Sequence, residues 1–133
     1  MRKALFLAMT LWLLTACGGE KPQTANSAEG AKVAAKLYYD CLTMGQYEIF
    51  LNGRLGAADM PESYRLQLIE AYQQFMSQQR QAHGRVVSTE ATGISQDTAL
   101  HVTNVMLTIT FADSLREEIV VPMVHEGDQW LMK

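Results

Sequence analysis

The stretch Ala99–Phe111, ALHVTNVMLTITF, carries the strongest β-strand signal in the chain. Its thirteen residues include no glycine or proline and are rich in the β-branched and apolar side chains that favour strands. Apolar and polar residues alternate along it, but the phase changes between Val102 and Val105. Because a slip of one residue turns every later side chain to the other face of a sheet, we expect a β-bulge near Thr103-Asn104 that bends this strand.

Three further strand patterns flank this stretch. Arg85–Thr92 precedes it, Leu115–His125 follows after a three-residue hairpin loop, and Gln129–Met132 closes the chain after a turn at 126–128. Pro122 has no backbone N–H to donate, so we expect it at a sheet edge or a bulge. The pattern predicts a four-stranded antiparallel meander. One face of its third strand is apolar: Leu115, Ile119, Val121 and Met123.

Three helices are predicted before the strands. Ala28–Met44 has the 3.6-residue period of a helix, with Asn26 placed as a capping residue and Gly45 as its end. A short helix over Gln46–Leu51 follows. The stripe expected to face the core in the first helix comprises Val33, Leu37, Cys41 and Met44, widened by Ala34, Tyr38 and Leu42.

A long third helix is predicted from Pro61 to about His83, where Gly84 ends it. Its apolar stripe comprises Leu68, Ile69, Tyr72, Phe75 and Met76, with Gln79 at its margin. Since the helices come first and the strands afterwards, the order predicts an α+β fold, with N-terminal helices packed on one face of a curved four-stranded antiparallel sheet.

The N-terminus has the pattern of an export signal. Arg2 and Lys3 precede an uncharged apolar run from Ala4 to Leu14, which is too short for a membrane-spanning helix of about 20 residues. Leu14-Thr15-Ala16-Cys17 resembles the bacterial lipobox, in which the cysteine receives a diacylglycerol and the signal is cut off before it. An ordinary secretory signal with a chance cysteine is the alternative interpretation.

The expected domain organisation follows from this signal. Residues 1–16 form a lipoprotein signal peptide, residues 17–27 the lipidated Cys17 and a flexible polar tether, and residues 28–133 one α+β domain. The acyl chains would attach the protein to a membrane of the bacterial cell envelope, and the sequence leaves open which membrane face it occupies.

Charge and cysteine content narrow the possible functions. Loss of Arg2 and Lys3 with the signal leaves nine basic residues against 14 acidic ones, a net charge near −5 that argues against nucleic-acid binding. With Cys17 lipidated, Cys41 has no partner within the chain. Burial as a small hydrophobe is expected for Cys41, and pairing between chains is the alternative.

The order of elements resembles the nuclear transport factor 2-like (cystatin-like α+β) superfamily, and particularly its small bacterial lipoproteins of unknown function. Ala31–Tyr47, AKVAAKLYYDCLTMGQY, resembles the first helix of the family and the break after it. Ile119–Val124, IVVPMV, followed by Glu126–Trp130, EGDQW, resembles its closing hairpin. The short link over Arg54–Met60 departs from larger members, which carry extra structure there.

The resemblance implies a space between the helices and the concave sheet face, which members use as an active site or binding cavity or fill with side chains. The residues expected to line it are Tyr38, Tyr72, Phe75, His101, Met106 and Trp130. Packing of these aromatics in the core is the alternative. Asp40 and Glu117 are the nearest carboxylates for an isomerase-like site, with Asp40 on the polar helix face and Glu117 either inward or at a sheet edge.

No pattern in the sequence indicates a cofactor or a metal. His83, His101 and His125 lack metal-ligand spacing, and no CxxC is present. We therefore expect a lipid-anchored, non-catalytic binding or interaction module for a small apolar ligand or an envelope protein. The alternatives are a small cofactor-free enzyme of isomerase or cyclase type, and a structural or inhibitory partner that uses its sheet face or third helix.

Overall fold

The computed structural model describes residues 27–133, in which three helices precede a four-stranded antiparallel sheet. The sheet is a meander, with strands in the order β1-β2-β3-β4. Helix α1 packs across one face of the sheet and approaches all four strands, α2 packs on α1, and α3 packs on α2. The helices are α1 (Ala28–Thr43), α2 (Tyr47–Asn52) and α3 (Glu62–His83), with a short 3-10 turn at Ala57–Asp59. The strands are β1 (Val86–Asp97), β2 (Val102–Phe111), β3 (Arg116–Glu126) and β4 (Gln129–Met132).

The face of β2 toward the helices is the centre of the core. Val105, Leu107, Ile109 and Phe111 point to this side and are all buried. The predicted bulge at Thr103-Asn104 is wrong, because β2 pairs with β3 in unbroken register from Thr103 to Thr110. Thr103 simply occupies an inward position as a buried polar residue.

The bulges lie instead in β1, the neighbouring edge strand. Val87 and Thr92 are the extra residues, because the register with β2 shifts between Val86 and Ser88 and again between Ala91 and Gly93. An edge strand accepts an extra residue on its free side without disturbing a second ladder, which is why bulges concentrate there.

The first hairpin also differs in length from the prediction. Strand β1 continues to Asp97 rather than ending at Thr92, and β2 begins at Val102 because Thr98 to His101 form the turn. The Leu100 backbone N–H donates to Asp97 Oδ1 over 3.1 Å, and His101 takes a positive φ of 55°. Local turn chemistry of this kind overrides strand propensity.

Pro122 lies where its missing backbone N–H removes no hydrogen bond from the β2–β3 ladder. It faces Asn104 of β2, while its carbonyl accepts from the Lys133 N–H on the opposite side, over 2.8 Å. Since the N and C=O of one strand residue point to the same side, the proline nitrogen faces the β4 side, where the pairing with β4 begins only at Met123.

Helix α1 buries only part of the predicted stripe, namely Cys41 and Leu42 with Ala34 and Tyr38 packed against the core. Ala31 and Ala35 are completely buried, whereas Val33, Leu37 and Met44 are exposed by 66%, 58% and 66%. Small side chains let the helix lie close to the sheet, so the alanine face turns inward and the larger apolar residues remain in solvent. Cys41 is buried as predicted and forms no disulfide in the part of the chain described.

The N-cap of α1 is the residue after the one expected, and Gly45 follows the helix as predicted. Ser27 rather than Asn26 is the N-cap, and its Oγ accepts from the Gly30 N–H over 3.3 Å. Gly45 follows the helix with φ +84°, a left-handed conformation that glycine adopts without strain.

No helix among residues 27–133 is long and apolar enough to cross a membrane.

Helix α3 is attached mainly at its two ends. Met76 is its one buried residue out of 22, and Phe75, predicted as part of the core stripe, is 51% exposed. Near the start, Arg65 donates to Ala57 O and Asn52 Oδ1. At the end, His83 Nδ1 lies 2.9 Å from Asp113 Oδ2 in the β2–β3 turn. Between these attachments the helix leaves space above the sheet.

Candidate binding cavity

A cavity of about 340 Å³ lies between α1, α3 and the inner face of the sheet near the β2–β3 turn. This volume falls at the small end of the range of about 300–1,000 Å³ that is typical of ligand pockets. Its walls are mostly apolar and aromatic. They consist of Tyr39, Leu42, Thr43, Phe50, Tyr72, Phe75, Met76, Gln79, Val86, Ile109, Phe111, Glu117 and Ile119.

A few polar groups border this apolar cavity. Glu117 faces Ile109 of β2 on the inner side of the sheet, so its carboxylate lies on the cavity wall. Gln79 Oε1 is buried and has no hydrogen-bond partner within residues 27–133. The Thr43 hydroxyl already donates to Asp40 O over 3.1 Å. The cavity therefore offers the Glu117 carboxylate and the unpartnered Gln79 Oε1 as acceptors on this side.

Three aromatic rings form the far wall of the cavity. Phe50 meets Tyr39 at 5.2 Å and Tyr72 at 5.1 Å, both edge to face, which is a preferred packing of aromatic rings. The same three residues also border a second space of about 280 Å³ beside the uncovered part of β3. The three rings therefore lie between two adjoining chambers, the apolar cavity and a second chamber with a different lining.

The second chamber contains the guanidinium of Arg54. Arg54 and Lys133 border this chamber, and Arg54 Nη1 donates to the Tyr72 hydroxyl over 3.1 Å. The position of Arg54 is fixed by its neighbours, because Leu55 N donates to Met132 O and Met132 N donates to Gly53 O, each over 2.7 Å. None of the ion pairs among residues 27–133 involves Arg54.

The Tyr39 hydroxyl near Arg54 remains protonated at neutral pH. Burial raises the pKa of Tyr39 above its ordinary value of 10.0, the adjacent Tyr72 phenol raises it further, and the Arg54 guanidinium lowers it by less. All three side chains border this chamber, and the Arg54 guanidinium contacts the Tyr72 hydroxyl. The chamber thus gathers one guanidinium and two phenols, all hydrogen-bond donors.

The predicted lining residues are distributed over several parts of the fold. Tyr72 and Phe75 border the apolar cavity. Tyr38 and Trp130 serve the packing of α1 on β4, because the Tyr38 hydroxyl donates to Trp130 O over 2.7 Å and Trp130 is buried in the core. Met106 lies beside Gly93 on the outer sheet face. His101 is exposed in the β1–β2 turn.

The two candidate carboxylates also separate. Asp40 pairs with Lys36 over 2.7 Å on the outer side of α1, as its position in the helix period suggested. Glu117 takes the inward orientation. No group of His, Cys, Asp and Glu side chains within residues 27–133 is arranged to hold a metal ion. Cys17 lies outside the described residues.

Several residues of the two chambers carry no sequence signal that marks them. Arg54 lies in the short link after α2, where no periodic pattern exists. Tyr39 is adjacent to Tyr38 in an aromatic pair, and only the rotation of α1 determines which ring meets the cavity. A search for the polar residue within each apolar stripe would have selected Gln79.

Comparison with known proteins identifies the architecture. No protein-family model matches the sequence, and no curated protein matches it. A Campylobacter jejuni protein, provisionally described as an NTF2-like transpeptidase, superposes on this chain with a TM-score of 0.59 and 10% sequence identity. The match covers 74% of this chain and 92% of that protein. The chain has the nuclear transport factor 2-like fold, as its order of helices and strands predicted.

Proposed function

We propose that this chain is a lipid-anchored protein of the bacterial cell envelope that binds a small apolar ligand without transforming it. The observation that supports this most directly is the cavity of about 340 Å³ between α1, α3 and the sheet, which side chains leave open. Well-packed protein interiors contain few voids larger than a water molecule, so an apolar space of this size is unusual unless it is occupied.

The binding proposal is tested with a chain-length series of neutral alcohols from butan-1-ol to octan-1-ol. Each buried methylene contributes about 0.8 kcal/mol, so affinity should rise by roughly fourfold per carbon until the cavity is full. Affinities are measured by displacement of N-phenyl-1-naphthylamine fluorescence. An affinity that does not change with chain length would contradict binding in an apolar cavity.

A matched pair of variants locates the binding. Thr43 lines the cavity and Met44, the next residue, is 66% exposed. Thr43→Phe introduces a ring into the space and should reduce alcohol binding by about tenfold or more, whereas Met44→Phe should leave it unchanged. Equal binding by both variants would place the ligand elsewhere.

The anchoring part of the proposal rests on the lipobox and the tether in the sequence. Cys17→Ala should release the protein from the membrane fraction and remove the mass of the acyl chains from its N-terminus. Cys41→Ala is the matched control, because Cys41 is buried in α1 and is not available for acylation. Retention of the Cys17→Ala variant in membranes would refute the anchor.

The provisional description of the Campylobacter protein as a transpeptidase is not extended to this chain. Acyl transfer of that type requires an activated nucleophile, usually a serine or a cysteine with a neighbouring base. The side chains that line the apolar cavity include neither residue type, and the Thr43 hydroxyl is engaged with Asp40 O.

A second candidate function, a small cofactor-free enzyme of isomerase or cyclase type, is favoured by the position of Glu117. Its carboxylate borders the cavity, where a general base for a bound ketone would lie. Turnover of an enolisable β,γ-unsaturated ketone by the wild type, lost in Glu117→Gln and kept in Glu118→Gln, would establish this function. Identical reaction rates with and without the protein would exclude the enzymatic function and leave only the binding function.

A further inference from the structure

The polarity of the two chambers specifies the chemical class of the ligand. We propose that the ligand is an amphipathic acid, with its apolar chain in the cavity under α3 and its carboxylate at Arg54, Tyr39 and Tyr72. This inference rests on the proposed binding function and adds the head group and the direction in which the ligand lies.

The first argument is the state of Arg54. Its guanidinium is half-buried and its side chain donates to the Tyr72 hydroxyl, yet no carboxylate within residues 27–133 pairs with it. A partly desolvated cation is costly without a counter-charge, and a guanidinium binds carboxylates in a fixed two-pronged geometry. An anion from outside the chain satisfies it.

Tyr39, Tyr72 and Lys133 border the same chamber as Arg54. Tyr72 accepts its bond from Arg54, so its own proton is free to be donated, and the Tyr39 phenol stays protonated beside it. A group with several acceptor oxygens and a negative charge matches these donors, whereas an ammonium group does not.

The apolar cavity and the second chamber differ in the polar groups that they offer to a ligand. The walls of the apolar cavity carry the Glu117 carboxylate, which repels an acid head group, and the unpartnered Gln79 Oε1, an acceptor that an anion does not satisfy. The same three rings, Tyr39, Phe50 and Tyr72, border both chambers, so the two chambers adjoin, and the proposed ligand lies beside these rings with one end in each chamber. An acid is therefore held with its head toward Arg54 and its chain toward Glu117.

The test compares three eight-carbon probes at pH 7.5: octanoate, octan-1-ol and octylamine. Octanoate has one alkyl carbon fewer than the other two, so tighter binding of octanoate is not due to a longer chain. Charge-assisted hydrogen bonds are stronger than neutral ones, so octanoate should bind at least about tenfold tighter than octan-1-ol, and octylamine weakest. Equal affinity of the three probes, or tighter binding of the amine, would overturn the assignment while leaving cavity binding intact. Failure of all three to bind would remove both proposals.

Variants then assign the effect to the residue. Arg54→Gln should lose about tenfold in affinity for octanoate and keep its affinity for octan-1-ol within about twofold, and Arg54→Lys should recover part of the loss because it retains the charge. Arg116→Gln is the control, since Arg116 is exposed on the outer sheet face opposite Thr110. An unchanged octanoate preference in Arg54→Gln would refute the role of Arg54. If that variant does not fold, the probe preference of the wild type still decides the ligand class.

Discussion

Replacement of Gly53 by alanine should destabilise the fold and displace Arg54. Gly53 ends α2 with an ordinary φ of −79°, so alanine fits its backbone conformation. A Cβ built there, however, would lie 2.5 Å from Tyr38 Cε1 and 2.6 Å from Cδ1, distances that real Cβ atoms essentially never show. The Tyr38 ring cannot swing aside freely because its hydroxyl donates to Trp130 O over 2.7 Å.

The expected cost follows from these contacts. Overpacking costs about 1–3 kcal/mol and the strained Tyr38 hydrogen bond about 1 kcal/mol more, while the stiffer unfolded chain returns roughly 0.4–1 kcal/mol. The net loss is about 2 kcal/mol, equivalent to a fall in Tm of roughly 10 °C for a domain of this size. Calorimetry or chemical denaturation of the soluble domain measures it directly.

A double-mutant cycle isolates the proposed clash. In a Tyr38→Ala background the ring is absent, so Gly53→Ala should become neutral or slightly stabilising. Gly93→Ala is a matched control, because a Cβ there would approach nothing closer than Met106 Sδ at 3.8 Å. Wild-type stability of Gly53→Ala, or the same loss with and without the Tyr38 ring, would refute the reasoning. Arg54, the next residue, should bind octanoate less well in the clashing variant.

Three further predictions follow from the same contacts. Met76→Ala removes the one buried side chain of α3 beside an existing cavity and should cost about 2–3 kcal/mol in denaturation experiments, with a loss below about 1 kcal/mol contradicting the packing role of this helix. The pKa of Asp113 is lowered, first by the hydrogen bond from the Leu115 N–H and then by the bond with His83. The stabilising contribution of the Asp113 carboxylate is therefore present above the ordinary carboxyl pKa and is lost as the pH falls through the lowered pKa. An NMR titration that gives Asp113 an ordinary pKa would exclude this. The Cys41 thiol is 6% exposed and should react with a thiol reagent only after unfolding, so fast labelling of the native domain would show that α1 opens.

The α+β architecture followed from the order of periodic patterns, which does not require knowledge of individual contacts. The change from a helical period to strand alternation after Gly84 separated the helices from the meander, and the structure has this division at the same residue. Gly45 and Gly84 marked the ends of α1 and α3 because both take a positive φ there. These are local properties of the chain.

The inward faces were less predictable, because they depend on what each element packs against. Helix α1 has one stripe of large apolar residues and one of alanines, and the sequence alone favours the larger stripe. The buried side of α1 accepts Ala31 and Ala35 together with Leu42, whereas Val33 and Leu37 remain exposed. The bulges belong to β1 for a comparable reason, since the edge position tolerates an extra residue that the central strand does not.

The sequence by itself determined the class of fold, the ends of α1 and α3 near Gly45 and Gly84, and the burial of Cys41, and it predicts lipid attachment at Cys17. Only the tertiary structure decided that α3 stands away from the sheet, that Glu117 turns inward, and that Arg54 meets Tyr39 and Tyr72. Periodicity encodes how a segment folds on itself, whereas a chamber is formed by side chains from distant segments whose meeting depends on the packing of the whole domain.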